Sequence, residues 1–185
     1  MGYYIISCIT GHEEQVLKAT KRQLVREVPS LAEKTDFVFP VRLIEEHWNG
    51  KWVDVRKPLI PSYFFARSSE NLDQVADIVS KINYSLGFLT YKGEQRTALL
   101  KGRDMDYASW VFSNNGEIKK SKVVLYPNQK IKVISGPLAM LHGKILRVDK
   151  HQRKILIEIQ IATNVVRVSL GAEFVAPEEI TTTQG

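Results

Sequence analysis

Four histidines (His12, His47, His142 and His151) and one cysteine, Cys8, are the side chains able to hold a transition metal, and none falls in paired ligand spacing. Asp104-Met-Asp106 is the nearest approach to a metal motif, but on a helix its carboxylates diverge, as those of adjacent Glu45 and Glu46 do on a strand. There is no GxSxG elbow and no glycine loop that would cradle a phosphate. The residues therefore point away from an enzyme: no catalytic residue, metal or cofactor is expected. Asn83-Tyr-Ser85 matches a glycosylation sequon, which a cytosolic chain would never present to that machinery.

The chemistry that does accumulate is cationic. The 185 residues carry a formal charge of +6, and the excess is local. Between Lys119 and Arg167, eleven lysines and arginines stand against Asp149 and Glu158 alone. A positive field focused on a small domain attracts phosphates. The candidates are Lys120, Lys122, Lys144, Arg147, Lys150, His151, Arg153, Lys154 and Arg167; His142 reads as the filler of a turn.

These cations need a scaffold, and the pattern around them supplies one. Lys130 to Asp149 alternates apolar and polar residues, breaks at Gly136-Pro137, turns at Gly143 and resumes through Val148. Lys154 to Ile161 and Val165 to Leu170 add further strands joined by tight turns, which together predict a small β-barrel. Upstream, polar Ser113 to Ser121 lacks the spacing of a helix or strand and reads as a linker. The predicted organisation is a first domain over residues 1–112, a linker over 113–122 and a second domain over 123–180.

The first domain reads as α+β. Tyr3 to Ile9 is a mostly apolar strand without the basic leader of a signal peptide. Thr10-Gly-His-Glu13 resembles a capping box opening a helix that runs to Val28, before Pro29. Leu17, Leu24 and Val28 form its apolar stripe, while Lys18, Arg22 and Arg26 form a separate basic one. Phe37 to His47 is a strand interrupted by Pro40, and Asn49-Gly50 signals a two-residue type I′ turn that sets His47 opposite Trp52. Strands at Ser62 to Ala66 and Phe88 to Tyr91, and helices at Asn71 to Ser80 and Arg103 to Phe112, follow. No apolar run approaches the roughly 18 residues that span a bilayer, and a lone cysteine fits a reducing compartment, so a cytoplasmic protein without membrane contact is expected.

Nearly the whole chain resembles the NusG family of transcription elongation factors. In the first half the carriers are Tyr3-Tyr4-Ile5-Ile6, Asn49-Gly50-Lys51-Trp52, Lys57 to Phe65 and Gly87-Phe88-Leu89, which look like the family's NGN domain. In the second half, Ser135 to Asp149 looks like its KOW motif. The resemblance implies an NGN α/β sandwich with an antiparallel sheet, followed by an SH3-like KOW barrel. It also implies docking on the clamp helices of the RNA polymerase largest subunit through a concave apolar patch. The matching positions are Ile60, Tyr63, Phe65, Phe88 and Tyr91. The Asn49-Gly50 tip, with Arg42, Lys51, Arg56 and Lys57 near it, would reach upstream or non-template DNA.

One departure bears on partners. General family members carry an aromatic followed by Gly-Arg-x-Thr where this chain reads Ala162-Thr163-Asn164-Val165-Val166. In the family that loop contributes to binding the termination factor Rho and a ribosomal protein, so both partnerships are in doubt. The cationic Lys150-His-Gln-Arg-Lys154 tip makes the chain look more like the specialised LoaP-type paralogues, operon-specific antiterminators. That likeness implies a KOW domain that recognises a hairpin in nascent RNA. The alternative is a general factor coupling polymerase to Rho or the ribosome.

Overall fold

The mostly apolar run Gly2–Cys8 builds a strand that is paired on both sides. The computed structural model describes residues 1–92, 99–127, 130–141, 143–161 and 164–176. In chain order its elements are β1 (Gly2–Cys8), α1 (Glu13–Glu27), α2 (Pro29–Ala32), β2 (Thr35–Val38), β3 (Val41–Trp48), β4 (Lys51–Pro58), β5 (Tyr63–Ser68), α3 (Asp73–Ser80), β6 (Ser85–Phe88) and α4 (Gly102–Ser113). They continue with β7 (Glu117–Ile118), β8 (Ser121–Leu125), β9 (Ile131–Ser135), a 3-10 turn (Pro137–Met140), β10 (Lys144–Asp149), β11 (Lys154–Ile161) and β12 (Asn164–Phe174). The expected α+β class holds. Two compact units emerge: Met1–Pro40 with Ile60–Gly116, and Val41–Leu59 with the described residues from Glu117 onward.

The first unit is a four-stranded antiparallel sheet in the order β2-β5-β1-β6. On one face Ile6, Phe64, Ala66 and Phe88 pack with Val16 and Leu24 of α1 and Val75 and Val79 of α3. On the other, Ile5 and Phe65 are also buried, and the Phe65 ring lies 6.0 Å from Tyr107 of α4. Helices therefore cover both faces, which is why Phe64, Phe65 and Ala66 are buried in succession instead of in alternation.

The expected capping box does not form. Helix α1 starts at Glu13 without a side-chain cap. Instead the buried Glu13 carboxylate accepts the backbone amides of Gly11 and Ser62, both at 2.8 Å. The residue types at positions 10 to 13 suit a local box, but a long-range amide captures the carboxylate.

The second unit holds two sheets. One is five-stranded, in the order β10-β11-β12-β8-β9, with β12 and β8 parallel. The other places the β3–β4 hairpin beside β7 in the order β4-β3-β7. Asn49 and Gly50 take positive φ of 47° and 77°, the type I′ turn, and His47 faces Trp52 as the spacing requires. Part of the stretch read as a linker is strand: Glu117 and Ile118 pair in parallel with Val41 and Arg42. Glu117–Ile118 is too short to show a period, so only the partner strand reveals it. Gly171 of β12 is required by close approach, since a Cβ there would lie 2.4 Å from the Leu43 carbonyl oxygen.

Candidate functional site

Two surfaces were expected from the sequence, one apolar and one cationic, and each lies within its own unit. Tyr63 and Phe65 do share a face, because Ser7 and Ile5 of β1 stand opposite them in register. Phe88 does not join them. It pairs with Ile6, projects into the other layer and meets Tyr4 edge-on at 6.0 Å. Ile60, Phe65 and Phe88 are 2%, 0% and 8% exposed, so these three are core residues and not the lining of an open patch. For Phe65 and Phe88 the physical cause is the double helical cover, which buries strand positions on both faces of the sheet.

Tyr63 and Tyr91 keep accessible surface. Tyr63 follows Ser62, which sits at φ 73° and is held by the Glu13 carboxylate, so the start of β5 is fixed from the helix end. The Tyr91 hydroxyl donates to Asp104 Oδ2 at 2.6 Å and accepts the Lys101 amide at 3.2 Å. Its ring is thus oriented by polar bonds at its tip. Neither the Glu13 nor the Asp104 anchor is legible from local spacing. On α1 the basic stripe of Lys18, Arg22 and Arg26 is solvent-exposed, with Lys18 paired to Glu14 at 3.2 Å.

In the second unit the hairpin β3–β4 changes the status of several cations. Strand pairing sets Glu45 opposite Asp54 and His47 opposite Trp52, on one face of the hairpin. Arg153 Nη1 donates to both oxygens of Glu45 at 3.0 Å, and its guanidinium carbon lies 4.7 Å from the Trp52 ring centroid. Lys120 Nζ lies 2.8 Å from Asp54 Oδ1 and 3.4 Å from Glu45 Oε1. The hydrogen bond to Asp54 is the main cause that raises the Lys120 pKa above the ordinary lysine value, with Glu45 and Asp54 adding charge attraction against a desolvation cost. Lys154 contributes to the field that, after the hydrogen bond from Lys57, holds the Glu46 carboxyl below its usual range. Lys120 and Arg153 are therefore engaged by acids that the sequence places about 70 and 110 positions away.

The remaining cations divide into two kinds. Lys144, Glu158 and Arg167 form a row across β10, β11 and β12, with Arg167 Nε bonded to Glu158 Oε2 at 3.1 Å. Arg147 contacts Asp149 at 3.1 Å. Lys122, Lys144, Lys150 and His151 are exposed and form no ion pair among the described residues. Lys150 and His151 border an open cleft of about 870 Å³ whose other walls include Glu45, Trp52, Lys120 and Arg153. His142 and the Ala162-Thr163 departure lie outside the described residues. Among the described residues no cluster of His, Cys, Asp and Glu has the geometry of a metal site, and no helix is long and apolar enough to cross a membrane.

Comparison with known proteins identifies the family. The family model for NusG, described as transcription termination factor nusG, matches residues 1–108. The transcription termination/antitermination protein NusG of Pseudomonas aeruginosa is 22% identical over 162 residues, covering 86% of this chain and 88% of its own. The protein of the same description from Rickettsia typhi is 23% identical over 166 residues, covering 86% and 81%. Among solved structures, one titled "Domain interaction in Thermotoga maritima NusG" is similar in fold, with a TM-score of 0.55 at 21% identity over 92% of this chain and 93% of that one. The chain belongs to the NusG family of transcription termination and antitermination proteins, which are transcription factors and not enzymes.

Proposed function

We propose that this chain is a cytoplasmic antitermination factor that rides RNA polymerase and engages nascent RNA. The first unit docks on the clamp helices of the polymerase largest subunit, with Tyr63 as the anchor and Tyr91 beside it in role. An aromatic ring whose position is fixed before binding loses little entropy on docking, which is why such residues dominate interfaces. Ile60, Phe65 and Phe88 contribute by holding the sheet beneath. Docking favours the active polymerase conformation over paused ones, a population shift that requires no bond chemistry.

The second unit supplies the RNA contact. Lys122, Lys144, Lys150 and His151 carry this reading, because they are exposed and form no ion pair among the described residues, while Glu45, Asp54 and Glu158 are already paired with other cations. Arg147 and Arg167 flank them with partly engaged charge. Lysine and arginine on a folded β surface bind phosphates, and the shape of an RNA hairpin supplies selectivity. Because polymerase docking tethers the factor beside its transcript, modest affinity for RNA suffices. Contact of the Asn49-Gly50 tip with upstream or non-template DNA belongs to the same reading.

A general elongation role is the second reading, favoured by the curated relatives, which align over most of the chain and are named for both termination and antitermination. Two measurements separate the readings. Binding to an isolated clamp-helix coiled coil and to a leader RNA hairpin, with no retention on immobilised Rho, supports antitermination. Retention on Rho without RNA binding supports the general role, and no binding to clamp helices at micromolar concentration overturns both.

A further inference from the structure

The acids of the β4-β3-β7 sheet fall into two groups. Glu46 pairs with Lys57 on its own hairpin, and Glu117 pairs with Arg56. Glu45 and Asp54 instead reach away from the hairpin to Arg153 and Lys120. Both of those cations were marked by the sequence as phosphate ligands. A carboxylate held at 2.8–3.0 Å from an ammonium or guanidinium offers the charge and the acceptor oxygens that a phosphodiester would offer there. The same cleft carries Lys150 and His151 on its border and the Trp52 ring in its wall.

We propose that the β3–β4 hairpin is a built-in competitor for RNA, with Glu45 and Asp54 standing in for phosphates in a cationic cleft formed by Lys120, Lys150, His151 and Arg153. An RNA backbone displaces the two carboxylates, frees Lys120 and Arg153 to bind phosphate, and uncovers the Trp52 face for a base. The latch rests on the reading of this unit as RNA-binding. Each pair has one partner open to water: Arg153 and Asp54 side chains are 42% and 51% exposed, while Glu45 and Lys120 are 16% and 24% exposed, so solvent and a competing anion reach both pairs from one side. A polyanion brings several phosphates at once and gains from counterion release at each. Stacking on an aromatic face adds to its advantage without sequence preference. Reciprocity follows: whatever holds the hairpin against the cleft weakens RNA binding by the same factor.

The test uses the full chain and a fluorescent oligouridylate of about twenty nucleotides, long enough for one binding surface. Glu45→Gln/Asp54→Asn is expected to bind it roughly tenfold more tightly than the unaltered chain at low salt. The slope of log affinity against log salt steepens by about 1.4, from two additional cations at ~0.7 each on a single strand. Asp36→Asn/Glu70→Gln, whose partners Arg67 and Lys34 lie with them in the first unit, serves as the control for two added charges and leaves the slope unchanged. A double variant with unaltered affinity and slope, beside an unaltered chain that does bind, overturns the latch but keeps the RNA-binding reading. Absence of binding by both overturns the reading and the latch together. Hydrogen exchange in the unaltered chain is independent of any variant: oligouridylate is expected to speed exchange in β3 and β4, and slower or unchanged exchange there also overturns the latch.

Discussion

Arg153 and Glu45 meet at 3.0 Å across 108 positions of sequence, with the Arg153 guanidinium over the ring of Trp52. This contact ties the turn before β11 to the β3–β4 hairpin. The backbone of the same residue is held to β12, since the Arg153 carbonyl accepts the Ala172 amide at 2.9 Å, and the residue sits at φ 53°. Arg153→Ala is expected to lower unfolding free energy by about 1 kcal/mol, the sum of a half-exposed ion pair and a cation–π contact. Urea denaturation checks this. A charge reversal at Arg153 is therefore a poor probe of RNA binding, because it places two carboxylates face to face.

Lys122 and Lys144 are better probes, since neither is tied to an acid among the described residues. Lys122→Gln/Lys144→Gln, which removes both charges without setting a new carboxylate opposite Glu173 or Glu158, is expected to weaken RNA binding at least tenfold. It should also flatten the salt dependence by about 1.4, at ~0.7 per lost phosphate contact on a single strand. Polymerase docking stays intact. Fluorescence anisotropy across a salt series reads both quantities.

Tyr63 and its neighbour in alternation, Phe65, separate surface from core. Tyr63→Ala is expected to weaken clamp-helix binding by about 2 kcal/mol with little change in melting temperature. Phe65→Ala leaves a cavity in a fully buried site and is expected to cost about 3–5 kcal/mol of stability. Calorimetric titration beside thermal denaturation distinguishes the two outcomes.

Glu13 links the start of α1 to the start of β5 through two backbone amides. Glu13→Ala strands the Ser62 amide in a part-buried position and is expected to cost about 2–3 kcal/mol, the range for a hydrogen bond to a charged acceptor. Because Ser62 immediately precedes Tyr63, clamp-helix affinity falls as well. Chemical denaturation and binding measured on the same variant check the coupling.

Cys8 supplies a pH signature. Burial, with a smaller contribution from the charge of Glu13, pushes its thiol up to about 11 from an ordinary 9.0. The folded state thus holds the proton more tightly than the unfolded one. Its contribution to stability is complete below pH 9 and is lost as pH rises from 9 to 11. Iodoacetamide at pH 8 is expected to leave Cys8 unmodified in the native chain and to alkylate it in urea, read by mass spectrometry.

Periodicity and turn chemistry were legible along the chain because they are local. The Asn49-Gly50 turn fixed the His47–Trp52 pairing, and the breaks at Gly136-Pro137 and Gly143 bounded strands observed at Ile131–Ser135 and Lys144–Asp149. Pro29 ended α1 where the backbone of a residue preceding proline disfavours the helix. The cationic character of residues 119–167 follows from composition alone. Tertiary structure decided which charges remain available. Glu45 and Asp54 neutralise Lys120 and Arg153 only because the absent side chain of Gly171 lets β3 cross β12 closely. Likewise, a strand period cannot say whether a second helical layer covers the other face, and that layer buries Phe65 while Tyr63 keeps accessible surface. A hydrophobic period records which way a side chain points; what it meets there depends on segments brought together by folding.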